Sequence, residues 1–220
     1  MADPDDGGGD LPPTPPDVED PDRFRAAVAA IDRANAEDPV RLRHGGAEHP
    51  KELLHARLMT RWLIRLDPDA GEAAHLAARA HHFRRWTRPR GDYPDGRSGY
   101  LRWRAAAKRQ HADEVAELLE GLGYAEATTQ RVGEIIRKEG LGSDPVVQTH
   151  EDALCLVFLD TQLGPVTDKV GEDEMVRILG RTLPKLSPAG VDAALQLDLG
   201  TRGASLLARA VAGAAGENGK

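Results

Sequence analysis

Apolar residues in this 220-residue chain return every three or four positions through most of its length, and almost nowhere in alternation. That period is helical. It predicts a first helix over 21–36 with Phe24, Val28 and Ile31 on one face, stopped at Asp38-Pro39. A second, over 50–66, opens on a proline and aligns Leu54, Leu58, Trp62 and Leu66. Asp67-Pro68-Asp69 breaks the chain before a third, over 70–86. Residues 87–100 hold Pro89, Gly91, Pro94, Gly96 and Gly99 and read as a loop, which the interleaved Trp86, Tyr93, Tyr100 and Trp103 should order. Helices follow over 101–122, 128–139 and 145–163, the last capped by Asp144 with Pro145 at its first position. Its ALCLVFL stretch at 153–159 is apolar all round, the mark of a buried helix. Segments near 172–183, 188–197 and 202–214 complete the pattern, and no segment alternates cleanly enough to read as a strand. The expected fold class is all-α, a compact multi-helix bundle.

The formal charge of −7 is unevenly spread. Residues 1–22 carry eight acids and no base, which leaves 28 acids against 29 bases for the rest, close to neutral. Rich in Pro, Gly and Asp and poor in large apolar residues, that segment is expected to be a disordered acidic tail. A helical core over 23–165, with an Arg/aromatic loop at 84–104, and C-terminal helices over 166–215 complete the expected organisation. The start of the chain lacks the basic and apolar regions of a secretion signal. No stretch approaches the roughly 18–20 apolar residues of a membrane span. A single cysteine, Cys155, suits a reducing cytoplasm.

One segment changes the picture. Residues 79–109 hold ten Lys/Arg and two acids, a local excess of +8. Guanidinium groups interleaved with aromatic rings and turn residues suit anion binding, and arginine packed on an aromatic face is preorganised for a bidentate oxyanion. Arg85, Arg88, Arg90, Arg97 and Arg104, with Tyr93, Tyr100 and Trp103, are the candidate ligand-binding residues. Helical phase turns His55, His82 and His111 toward the core side. Glu151 shares a stripe with Val147, Leu154 and Phe158, with Asp152 beside it. Two carboxylates opening the most apolar helix need cationic or metal partners to stay ionised. The plainer alternatives are hydrogen-bonded core histidines and acids that favour the helix dipole. Glu72-Ala-Ala-His75 has a di-iron ligand spacing, but such bundles need a second copy and further inward glutamates, so this motif is set aside. No His-Glu-x-x-His, nucleotide-type Gly-rich loop, Cys-x-x-Cys or Gly-x-Ser-x-Gly is present.

Two family resemblances attach to these residues. Ile31-Asp32, Asn35, Asp38-Pro39, Trp62-Leu63, RAHHFRRW with Pro89-Arg90, Tyr93-Pro94, Arg97, Gly99-Tyr100-Leu101, Trp103-Arg104, His111-Ala112, Gly123-Tyr124 and EDALCLVFL resemble the family called domain of unknown function forty-two-oh-two. They span about residues 24–163, and the family's name implies no activity. More loosely, the order His55, His81-His82, His111, Asp152 resembles the HD metal-dependent phosphohydrolases, although Phe83 stands where that superfamily carries aspartate after its histidine. That resemblance implies a divalent metal ion held by His55, His82, His111 and Asp152. It also implies Glu151 as the catalytic base or as a group that supports the ligands, and the arginines as neutralisers of a phosphate.

The expectation is therefore a metal-dependent phosphohydrolase acting on a small phosphorylated ligand or nucleotide, with no membrane partner. The alternative is a non-catalytic module that binds nucleic acid or a phospho-ligand through the same loop.

Overall fold

A computed structural model describes residues 11–217, and the first ten residues of the acidic segment lie outside them. The described chain is all-α apart from one small hairpin, and it divides into two compact units that part between Glu139 and Gly140.

In the first unit, helix α1 (Pro21–Asn35) begins where Asp20 accepts from the N–H groups of Asp22 and Arg23 at 3.1 and 3.0 Å. Proline at its first position costs no helical hydrogen bond there. Phe24, Ala27, Val28 and Ile31 are buried along one face, as the period requires. The last acids of the expected tail are working groups. Besides Asp20, the Asp17 carboxylate accepts from Glu72 N–H at 2.7 Å. An unpaired helix donor attracts a carboxylate more than solvent does, so the segment from Leu11 onward is not free chain.

Strands β1 (Arg41–His44) and β2 (Ala47–Pro50) pair antiparallel, with Arg41 opposite Pro50 and His44 opposite Ala47. Gly45 and Gly46 join them with φ of 56° and 82°, the double positive φ that a two-residue hairpin turn demands. This hairpin departs from the strand-free expectation. Each strand is four residues long and mostly polar, too short for alternation to show.

Helix α2 (Lys51–Leu66) follows directly, and α3 (Glu72–Arg79) lies after the Asp67-Pro68 break. The buried Arg79 guanidinium grips Asp32 of α1 with Nε on Oδ1 at 2.6 Å and Nη2 on Oδ2 at 2.5 Å. The expected continuation of this helix to 86 does not occur. After Ala80 the chain turns through His81, His82 and Phe83, and Arg84 adopts a left-handed φ of 49°. Asn35 Oδ1 accepts from Arg84 N–H at 3.1 Å and so anchors the turn. Short 3-10 turns at Arg85–Thr87 and Arg90–Asp92 replace the open loop, and α4 (Gly96–Gly121) starts five residues earlier than the pattern predicts. Gly99 permits this. A Cβ there would lie 1.8 Å from the Pro94 carbonyl oxygen, and Arg90 holds that turn with bonds to the carbonyls of Tyr93 and Pro94 at 2.8 and 2.9 Å. Helix α5 (Glu126–Arg137) packs against α3 and α4.

The second unit is built from α6 (Pro145–Val170), α7 (Glu172–Thr182), α8 (Pro188–Leu195) and α9 (Gly200–Glu217). Helix α6 is capped by Asp144, as expected, but continues seven residues past 163 with Pro165 inside it. It belongs with the C-terminal helices, so the division falls at 139/140, not at 165. No helix among the described residues is long and apolar enough to cross a membrane.

Candidate functional site

The first turn of α2 lacks a cap of its own, since Pro50 precedes it. Asp38 fills that role from the end of the α1 connection. Its Oδ1 accepts from Val40 N–H at 2.9 Å and its Oδ2 from Glu52 N–H at 3.0 Å. The buried Asp38 thereby fixes both the start of the hairpin and the backbone of Glu52. Glu52 and His55 stand three residues apart on one face of α2, and each is only 3 % exposed.

His82 reaches the same place from the turn after α3. Its Nδ1 lies 3.1 Å from Glu52 Oε2, and His55 Nδ1 lies 3.4 Å from that oxygen. Lys51 Nζ is 3.2 Å from the other carboxylate oxygen. One donor atom each from Glu52, His55 and His82 falls within 4.8 Å of the others. The His82 ring is also close to His55 (centroids 6.3 Å apart), His81 (4.2 Å) and His111 (5.9 Å).

Burial alone would push the Glu52 carboxyl up. The His82 imidazole, the N–H bonds from His55 and His82 and the Lys51 ammonium reverse this and hold it well below the usual carboxylate range. For His82, burial and then the adjacent Arg85 guanidinium depress the pKa well below that of a free imidazole, so the ring is neutral. Arg85 Nη1 sits 2.5 Å from His82 Nε2, and the guanidinium lies 4.8 Å over the Trp103 ring.

His111, in mid-α4, faces Phe83 O with Nδ1 at 2.8 Å. A carbonyl only accepts, so Nδ1 carries the proton and Nε2 a lone pair. That Nε2 is buried and has no hydrogen-bond partner among the described residues. Burial, then Arg85, push the His111 pKa from 6.5 down to about 4. The folded pKa lies below the unfolded one. The neutral ring's contribution is therefore full above pH 6.5 and is lost as pH falls through 4. This depression corresponds to about 3 kcal/mol. In chelator-treated protein, urea unfolding from pH 7 to 4 should cost the wild type about 3 kcal/mol more than it costs His111→Gln.

The arginine segment divides by use. Arg90 holds its own turn. Arg88 donates to Gln110 Oε1 and, at 2.8 Å, to the Tyr93 hydroxyl, while Trp103 Nε1 donates to the Arg88 carbonyl at 2.9 Å. Arg88, Arg90, Tyr93 and Trp103 thus build the rim. Arg97 and Arg104 make no hydrogen bond or ion pair among the described residues. Tyr100 is 44 % exposed, with its ring 5.9 Å from that of Trp103. Tyr100 and Arg104 both lie close enough to act on the charge of Arg85.

Of the ligand set expected from the HD-like order, His55 and His82 meet and His111 stands beside them. Glu151 and Asp152 are not in the cluster. Both are buried on α6 in the second unit. Asp152 Oδ1 accepts from Ser187 N–H and from Gln148 Nε2, each at 2.9 Å, and its Oδ2 accepts from the Ser187 hydroxyl at 2.5 Å. Ser187 in turn caps α8 by accepting from Gly190 N–H at 3.1 Å, and a Cβ on Gly190 would meet the Asp152 carboxylate at 2.7 Å. These bonds satisfy the carboxylate and account for its burial without a cation.

Sequence reasoning missed Glu52, although a signal was present. Glu52-Leu53-Leu54-His55 is a second Glu-x-x-His, with the same spacing as Glu72 and His75. There the structure supplies another use, since Glu72 Oε1 accepts from the Tyr124 hydroxyl at 2.7 Å.

Glu52, His55 and His82 are a donor set that could hold a metal ion. One carboxylate and two imidazoles suit zinc, manganese or iron. The buried His111 lone pair beside them fits such a site, because a neutral acceptor left dry costs free energy that a bound ion would offset.

Comparison with known proteins adds a family and no activity. The sequence model described as Domain of unknown function (DUF4202) matches residues 25–207, most of the chain. No curated protein and no solved structure matches it. This chain is a member of the DUF4202 family.

Proposed function

We propose that this DUF4202 protein is a metal-dependent phosphohydrolase whose site lies wholly within the first unit, at Glu52, His55 and His82 under an arginine rim. The observation that carries the reading is the convergence of three donor atoms within 4.8 Å, from buried Glu52 and His55 and half-buried His82, beside an arginine that pairs with no carboxylate among the described residues. A bound divalent ion supplies Lewis-acid polarisation of a phosphoryl oxygen and a water of lowered pKa. Glu52 and the two imidazoles would hold it, and His111, its ring fixed by Phe83 O, offers Nε2 as a further donor. Arg85 and Arg104 neutralise the phosphate and the charge that builds on it in the transition state. Tyr100, exposed at the rim, borders the path by which a ligand reaches Arg85. Glu151 and Asp152 have no part in this version of the site, and a reducing cytoplasm, suited by the lone buried Cys155, completes it.

The fate of the arginines favours a small anion over a nucleic-acid backbone. Arg88 and Arg90 are spent on the loop itself. Along α4, the groove with Arg88, Arg102 and Arg109 also presents Asp113, Glu114 and Glu117 to any polyanion.

The test is phosphate release from a panel of phosphomonoesters and nucleotides with added Mn²⁺ or Zn²⁺. Release that chelator abolishes and Glu52→Gln removes is the expected result. Release that ignores both treatments would contradict the reading.

A further inference from the structure

We infer that Arg85 gates the metal site. It must leave His82 before a divalent ion can be held, and an oxyanion draws it away, so anion and metal bind with positive coupling. This deepens the proposed function and rests on it.

Arginine has only N–H donors, and Arg85 Nη1 stands 2.5 Å from His82 Nε2. Nε2 must therefore present its lone pair, and the ring's single proton must sit on Nδ1. There it points at Glu52 Oε2, 3.1 Å away, which as a carboxylate can only accept. The two contacts agree on one tautomer, and in that tautomer both nitrogens of His82 are occupied.

A metal ion can reach His82 in two ways, and Arg85 blocks each. Ligation at Nε2 takes the lone pair that Arg85 is using. Ligation at Nδ1 moves the ring proton to Nε2, which then sets N–H against N–H across 2.5 Å. Either route requires the guanidinium to withdraw. Its positive charge beside a buried site opposes a divalent cation as well.

The residues around Arg85 say what moves it. Its hydrogen bond goes to a neutral imidazole, and its guanidinium lies 4.8 Å over the Trp103 ring. A doubly bonded oxyanion is roughly twice as strong an acceptor as a neutral group. Arg104, with no partner of its own among the described residues, stands near enough to act on Arg85 and supplies a second guanidinium to the same anion. Exposed Tyr100 beside them places this pair next to solvent. The anion therefore releases His82, and by reciprocity the metal raises affinity for the anion. The arrangement keeps an ion from being fully held until a phosphorylated ligand is present.

Calorimetric titration of Mn²⁺ into the full-length protein tests the gate, with and without sulfate and with chloride matching the ionic strength. For the wild type, saturating sulfate should raise Mn²⁺ affinity by about 10-fold or more. Arg85→Ala should bind Mn²⁺ without sulfate at least as tightly as the wild type does with it, and sulfate should change nothing further. A second measurement needs no variant. Long-range ¹H–¹⁵N spectra of the metal-free, anion-free wild type should show His82 protonated at Nδ1, with Nε2 unprotonated and hydrogen-bonded. Equal Mn²⁺ affinity with and without sulfate, or a His82 protonated at Nε2, overturns the gate and leaves the metal reading standing. Absence of Mn²⁺ binding to the wild type and to Arg85→Ala, with sulfate and without, overturns both.

Discussion

Glu52→Gln should weaken divalent-metal binding by about 100-fold or more, at or above the top of the range for disturbing a group that only orients a ligand. The amide keeps the size of the side chain and can still accept from one imidazole, so the fold should survive. It loses the negative charge on which His82, His55 and Lys51 converge, and one face of an amide presents N–H groups to donors. Neutral His82 owes its protonated Nδ1 to that carboxylate and to Arg85. Calorimetric titration with Mn²⁺ or Zn²⁺, beside a thermal unfolding curve, separates the two effects: affinity should collapse while the melting temperature shifts little. A variant that binds metal like the wild type would remove Glu52 from the site.

Asp152→Ala should do the reverse. Its buried carboxylate receives three donors and supports the serine that caps α8, so truncation strips the Ser187 N–H and hydroxyl of their acceptor, while Gln148 Nε2 keeps only the Lys185 carbonyl at 2.8 Å. Hydrogen bonds to a charged acceptor contribute about 1.5–3 kcal/mol each and are not additive, which puts the destabilisation at about 3–4 kcal/mol. Urea denaturation reads this directly. Metal affinity of the folded variant should match the wild type, and a loss of affinity without a loss of stability would return Asp152 to the list of ligands.

These two acids also show where sequence and structure part. Helical period placed α1, α2, α7 and the capped start of α6 within a residue or two, because each buries a continuous stripe and carries its own stop or cap. The same period misled at α3. There the stripe through His75, Ala78 and His82 runs on past the point where Asn35, some fifty residues earlier, captures the backbone of Arg84 and turns the chain. No local pattern encodes a contact made at that separation. Gly96, Ser98 and Gly99 read as loop from their propensities, yet they open α4 since only a residue without Cβ can pass the Pro94 carbonyl.

Within the candidate site, His55 and His111 were legible from phase, as buried polar positions on otherwise apolar stripes. His82 reaches the cluster from a turn, beyond the point where α3 and its stripe end at Arg79. Glu52 went unread because it sits in a first helical turn, where a glutamate ordinarily serves the helix dipole and faces water. Asp152 drew notice for its burial, which was real. Its partners, Ser187 and the end of α8, lie 35 residues downstream and could not be foreseen from the stripe.

The most direct test of the metal reading is anomalous diffraction from crystals of the full chain grown with Mn²⁺ or Zn²⁺ and sulfate. One strong peak is expected within about 2.0–2.3 Å of Glu52, His55 and His82 donor atoms, with Arg85 turned from His82 toward the anion. Anomalous density confined to surface carboxylates, with Arg85 still on His82 and Glu52 still holding both imidazoles, would contradict the metal reading.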